Sequence, residues 1–139
     1  MTKLKWWMKV VGAFYLLLSF LIIFLRVPIT AEGPKGALAQ AAAGDPLANF
    51  LVDTWVTYGL DFFVIGTVLL ISSRKPDQAK PLIWVVLGLE LIRGIGVDCY
   101  KILRGYELSG ELIWIAIHSV IIITGLSFLG WKLGGSRKV

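Results

Sequence analysis

Leu89-Glu-Leu-Ile-Arg-Gly-Ile-Gly-Val-Asp-Cys-Tyr100 occupies the middle and far end of an apolar run that opens at Leu82. A bare charge at the centre of a transmembrane helix costs about 2.5–3.5 kcal/mol on insertion scales. This stretch carries two, Glu90 and Arg93, one helical turn apart on one face, where each offsets the other. Together they cost roughly 5–7 kcal/mol, while the Leu, Ile and Val residues of the run return only about 3–6 kcal/mol. Alone this is a marginal span, and it calls for polar partners on neighbouring helices.

The rest of the chain supplies a membrane setting. It has 139 residues, 57% of them hydrophobic and 17% charged, with a mean hydropathy of +0.78. A soluble domain of this size needs a more charged surface. Four apolar runs of about 20 residues fit the length. They predict an all-α membrane protein, a single domain of four transmembrane helices in an up-down-up-down bundle, with helices at about 6–26, 47–72, 82–103 and 110–132 and an extracytoplasmic loop at 27–46. One cysteine, Cys99, excludes an internal disulfide, and one histidine, His118, excludes a histidine cluster for a metal. No cofactor fingerprint is present, so neither metal nor cofactor is expected.

Boundary residues fit this layout. Trp6 and Trp7 beside Lys5 and Lys9 suit the headgroup region, as do Trp84, Trp131, Tyr100 and Tyr106. The first apolar core is longer than that of a cleaved signal peptide, so it reads as an uncleaved span. In the long connection, Glu32-Gly33-Pro34-Lys35-Gly36 is turn chemistry, and the alanines of 37–43 suit a short surface helix. Asp45-Pro46 is a helix start, with Asp as N-cap and Pro in the first turn. Pro81 repeats that signal, Gly105 is a natural helix stop, and Ser109 with Glu111 reads as the start of the last helix.

The net charge of +5 comes in small groups beside helix ends, which suits a lipid bilayer and not nucleic acid. Lys3, Lys5, Lys9, Arg74, Lys75, Lys80, Lys132, Arg137 and Lys138 fall on the side of the termini, against Arg26, Lys35, Lys101 and Arg104 on the other. Short loops with that bias place both termini in the cytoplasm.

Each helix also carries a polar stripe. Asp53, Thr57 and Asp61 share a face of the second, beside Tyr58. Glu90, Arg93, Gly94 and Lys101 share one side of the third, with Asp98 at its edge. Glu111, Trp114 and His118 line the fourth. With about 1.5 Å of rise per residue, Asp61 and Glu90 fall at similar depths, Arg93, Tyr58 and His118 roughly one turn closer to the outside, and Asp53, Asp98, Glu111 and Arg26 near the outer interface. The candidate pocket is Asp53, Tyr58, Asp61, Glu90, Arg93 and His118, opening outward. Against it stands a plainer reading, in which Glu90–Arg93 fixes helix register and His118 is a hydrogen-bonded interior residue. Intramembrane ionisable groups nonetheless mark functional sites by default.

Leu4-Lys5-Trp6-Trp7-Met8, Ala42-Ala43-Gly44-Asp45-Pro46-Leu47, Val52-Asp53-Thr54-Trp55-Val56 and Glu90-Leu91-Ile92-Arg93-Gly94 together resemble the BphX-like family of small bacterial integral membrane proteins, some encoded beside biphenyl-degradation genes. The resemblance implies a bacterial inner-membrane location and carries no catalytic residue with it. A looser likeness, of fold alone, is to four-span bundles with acidic residues facing a lipophilic cavity, such as emopamil-binding-type sterol isomerases.

The expected role is non-enzymatic: the pocket binds a small lipophilic or amphiphilic ligand, or supports a partner protein, the chain acting as a homodimer or accessory membrane subunit. The alternatives are an enzyme using Asp61 or Glu90 as acid and base on a lipophilic substrate with His118 as partner, and a proton-coupled carrier that needs a dimer.

Overall fold

A backbone in hydrocarbon must satisfy its own polar groups, which favours helices wherever the chain is continuously apolar. The computed structural model describes residues 2–26 and 36–130, and among the described residues all regular structure is helical. In chain order the helices are α1 (Thr2–Ile23), α2 (Ala37–Ala42), α3 (Pro46–Ser72), α4 (Lys80–Leu89), a π-helical segment (Glu90–Ile95), α5 (Gly96–Leu103) and α6 (Leu108–Phe128). Three are long and apolar enough to cross a membrane: α1 from Lys3 to Ile23, α3 and α6.

The run expected as one span at 82–103 is helical from Lys80 to Leu103 but changes its hydrogen bonding in the middle. The Gly96 N–H bonds back to the Leu91 carbonyl, an i→i−5 closure. Such a wide turn re-aims the side chains on it, and π segments recur at functional sites. Glycines at 94 and 96 weaken the α preference there. The expected Glu90–Arg93 spacing was an α-helical one, and both residues sit inside this segment.

The start and stop signals hold at Asp45 and Gly105. Asp45 Oδ1 accepts from the Ala48 N–H at 2.9 Å, the N-cap bond that opens α3. Gly105, at φ +84°, ends α5: its N–H bonds the Ile102 carbonyl and that of Tyr106 the Lys101 carbonyl, a Schellman closure. Ser109 does not cap α6. The N-cap is Glu107, without a side-chain cap bond, and the Ser109 hydroxyl donates to Glu107 Oε1 instead. The first helix begins at Thr2 and ends at Ile23, earlier at both ends than 6–26. The last ends at Phe128, followed by Gly130 at φ +81°. Trp131, Lys132, the basic tail and residues 27–35 of the long loop lie outside the described residues.

The chain divides into two units, residues 10–71 and residues 1–9 with 72–139. In the first, α1 and α3 run antiparallel with little between their backbones. A Cβ on Gly66 would lie 2.7 Å from the Gly12 carbonyl oxygen, and one on Gly12 3.0 Å from that of Gly66. Further along, Gly59 receives Ile22 and Ile23, and Tyr15 stacks on Phe62 with ring centroids 5.4 Å apart. The short α2 buries Ala37 against Val52, with Leu38, Ala41 and Trp55 around them.

In the second unit, α6 folds back along α4, the π segment and α5. Leu87 fills the space over Gly125, His118 that over Gly94, and Lys101 pairs with Glu111. Each step is seven residues forward on one strand of the hairpin and seven back on the other, two helical turns of an antiparallel pair. Trp7, expected in the aromatic belt, is instead buried at 5% exposure. Its indole N–H is shared between the Ile121 carbonyl (3.2 Å) and Thr124 Oγ1 (3.1 Å). Gly125 opens the space beside it, so the ring packs inward. Trp6, Trp84, Tyr100 and Tyr106 are exposed, as belt residues should be.

Candidate functional site

The polar groups of the second unit form one connected seam along the hairpin. It begins near the turn, where α6 starts and α5 ends. Glu111, one turn into α6, accepts from Lys101 Nζ at 3.1 Å. The same ammonium donates to Asp98 Oδ1 at 3.2 Å, one turn back along α5. The second oxygen of Asp98, Oδ2, faces His118 Nε2 at 3.6 Å. The other ring nitrogen of His118, Nδ1, is in close contact with Glu90 Oε2. Five ionisable side chains from the π segment, α5 and α6 are thus linked in sequence.

Exposure is uneven along the seam: the side chains of Glu111, Lys101 and His118 are 14%, 35% and 20% exposed, whereas the two carboxylates on either side of His118 are buried, Asp98 at 7% and Glu90 at 2%. An isolated carboxylate at that depth is strongly disfavoured, so each must be paired or neutralised. Lys101 serves two carboxylates and His118 stands between two. The chain's only histidine keeps this position because Gly94 leaves room for it. A Cβ at residue 94 would lie 2.6 Å from His118 Nδ1, so any larger residue there pushes the imidazole off Glu90. Trp114, one turn before His118, closes one side, its ring centroid 6.2 Å away.

Of the six residues expected in the pocket, Glu90 and His118 meet directly. Arg93 is half-buried on the same π segment and has an interaction of its own. Asp53, Tyr58 and Asp61 all stand on α3, in the other unit. Asp53 is exposed and Asp61 half-buried, and Tyr58 lies beside Trp55 with ring centroids 5.9 Å apart. The Asp53 backbone carbonyl accepts from the Thr57 hydroxyl. Tyr58 and Asp61 each have a further interaction. In that unit, a shallow depression is lined by Ala37, Gln40, Asp45, Leu47, Ala48 and Leu51, none of which was a candidate.

Asp98 and Glu111, expected near the outer interface, and Lys101, expected on the stripe of Glu90 and Arg93, were not candidates for the pocket and are the groups between the His118 pair and the hairpin turn. A signal for this exists in the chain. A short connection between two helices fixes which residues face each other on the way back, and it sets Lys101 across from Glu111 and Gly94 across from His118. Among the described residues, no set of three or more His, Cys, Asp and Glu side chains is arranged to hold a metal ion.

Chemically, the seam holds charged groups in two hydrogen-bonded sets, Glu111–Lys101–Asp98 and His118–Glu90, that face each other across 3.6 Å. A model of the BphX-like family matches residues 1–133, nearly the whole chain. No curated protein and no solved structure matches it.

Proposed function

This chain belongs to the BphX-like family, and we propose that it is a four-span protein of the bacterial cytoplasmic membrane whose hairpin seam binds the polar end of a small amphiphile. The three long apolar helices support the membrane setting. The 24 residues of 80–103, at about 1.5 Å each, extend roughly 36 Å, which suits a fourth span across a hydrocarbon core of about 30 Å. Both termini then lie in the cytoplasm by the distribution of Lys and Arg, and the turn at Gly105 faces the exterior.

The observation that carries the ligand reading is the continuity of the seam. Polar groups run without a break from the hairpin turn to Glu90, while Leu91, Ile92, Leu103 and Ile113 on the same hairpin are exposed. A row of polar groups flanked by exposed apolar side chains suits a molecule with one polar and one lipophilic end. Three carboxylates line the seam against Lys101, with Arg93 on the same segment as Glu90. Acidic side chains thus outnumber the lysine and arginine along the seam, which favours an ammonium over a carboxylate head.

Thermal unfolding in nanodiscs of neutral lipid tests this with dodecylamine and laurate, which share a chain length. Dodecylamine should raise the unfolding midpoint of the wild-type protein and leave a Glu90→Gln/Asp98→Asn double variant unmoved, and laurate should do neither. Equal shifts for both compounds, or the same dodecylamine shift in the double variant, would remove the seam as the binding site.

A further inference from the structure

His118 stands between two buried carboxylates that are not equally served. Glu90 Oε2 is in close contact with Nδ1. Asp98 Oδ1 accepts from Lys101. Asp98 Oδ2, by contrast, is buried and has no hydrogen-bond partner among the described residues. It points at His118 Nε2 across 3.6 Å, on a side chain only 7% exposed. A buried acceptor without a donor costs about 1–3 kcal/mol, so this oxygen is where the site is incomplete.

The missing partner is one proton. A neutral imidazole has a single N–H. Placed on Nδ1 it donates to Glu90, and the Nε2 lone pair then confronts the lone pairs of Asp98 Oδ2. Two acceptors face each other without a hydrogen between them. Adding one proton at this gap makes an Nε2–H bond that donates to Oδ2, and both carboxylates are then satisfied by one imidazolium. Nothing else in the triad needs to move except the ring and Oδ2, by a few tenths of an ångström.

We propose that Glu90, His118 and Asp98 form a proton-loading site inside the hairpin, filled from the turn by way of Asp98. This rests on reading the seam as the working site of the chain. A proton from water at the turn end forms the Nε2–H bond, and the charge of the triad rises from −2 to −1. The Nδ1 proton can then pass to Glu90, forming a carboxylic acid and leaving His118 neutral with its proton on Nε2. The net change is a single proton taken up from water: it enters at Nε2 beside Asp98, which stays a carboxylate, and the Nδ1 proton leaves the ring for Glu90, with no redox step and no co-reactant. The charged groups around the ring are Glu90 and Arg93 on the π segment, Asp98 and Lys101 on α5, and Glu111 on its own helix. Lys101 has a positioning role: it holds Oδ1, so that Oδ2 alone is turned toward the ring.

Because His118 is the only histidine, ¹⁵N-histidine labelling reports on this site alone. Solid-state NMR of the full chain in nanodiscs, without any amphiphile, should show Nε2 changing from unprotonated to protonated in one step as the pH is lowered across the range in which the protein stays folded. Nδ1 should stay hydrogen-bonded to the Glu90 carboxyl group throughout, whichever of the two carries the shared proton. In Asp98→Asn, the side-chain amide donates to Nε2 and fills the gap without a proton, so the step should vanish or move by more than tenfold in proton concentration. Asp98→Glu should restore it. An Nε2 signal constant across that range, or a step unchanged in Asp98→Asn, overturns the proposal. The wild-type spectrum decides even if a variant fails to fold. A normal titration together with no dodecylamine response would retain the proton site and overturn only the amphiphile.

Discussion

The chain contains two antiparallel helix pairs joined by different means. Between α1 and α3, glycine brings backbone onto backbone: Gly12 and Gly66 each sit against the other's carbonyl. Along the hairpin of α4, the π segment, α5 and α6, glycine makes room for a side chain. Gly94 receives the His118 imidazole, and Gly125 receives Leu87 and Trp7. In lipid there is no hydrophobic gain from bringing two apolar helices together, so close packing must do the joining in the first pair. In the second, ions and hydrogen bonds share that role, at the cost of burying charge. The first pair is joined by backbone contact and the second by side chains that include a row of buried charged groups.

This difference sets the largest expected effect. Gly66→Val should destabilise the first pair by about 3 kcal/mol, because its Cβ meets the Gly12 carbonyl oxygen at 2.7 Å and the Leu16 backbone nitrogen at 3.1 Å, and backbone cannot step aside. Unfolding by a denaturing detergent would measure the loss. The ¹⁵N signals of His118 should keep their positions in the folded fraction. If Gly66→Val were tolerated within about 0.5 kcal/mol, the α1–α3 contact would not be a close-packed one.

Gly94→Ala comes next, and its signature is reversed. The added methyl would lie 2.6 Å from His118 Nδ1, but the obstacle is a side chain that can rotate away. A loss of about 1–2 kcal/mol is expected, together with loss of the Nδ1 hydrogen-bond signal from Glu90. A variant that kept this signal would show that the imidazole does not depend on the space at residue 94.

These two glycines also mark how far the sequence alone could be read. Helical character, the Asp45 and Gly105 boundaries and the membrane setting come from local chemistry: apolar run length, capping residues and turn residues act within a few positions. The meeting of Glu90 and His118 was legible at the level of shared depth, since rise per residue is fixed along a helix. The π segment was not, because a change from i→i−4 to i→i−5 bonding is a small local difference decided by packing around Glu90–Ile95. Asp98, read at the edge of an ideal α stripe, lies just beyond that wider turn, which re-aims the residues after it, and is buried in the seam. Trp7 was misread because tryptophan suits both an interface and a glycine-lined gap; only Gly125 and Thr124, more than a hundred residues away, decide between them.

The smallest effect belongs at the Trp7 end of the hairpin, where a polar contact exists but does little joining. The indole N–H has two acceptors, the Ile121 carbonyl at 3.2 Å and Thr124 Oγ1 at 3.1 Å. The Thr124 hydroxyl also donates back to the Val120 carbonyl at 2.6 Å. Thr124→Val keeps the shape, removes the hydroxyl and leaves the indole bonded to Ile121. Interhelical hydrogen bonds in membranes are worth about 0.6 kcal/mol on average, and here half of the contact survives, so the loss should not exceed that figure in the same unfolding assay. The ring itself stays seated over Gly125, where packing holds it. A loss as large as that of Gly94→Ala would mean that hydrogen bonding joins this end too, and that the polar seam at His118 is an extension of the glue between helices. A small loss leaves the seam as a costly arrangement that helix adhesion alone does not require.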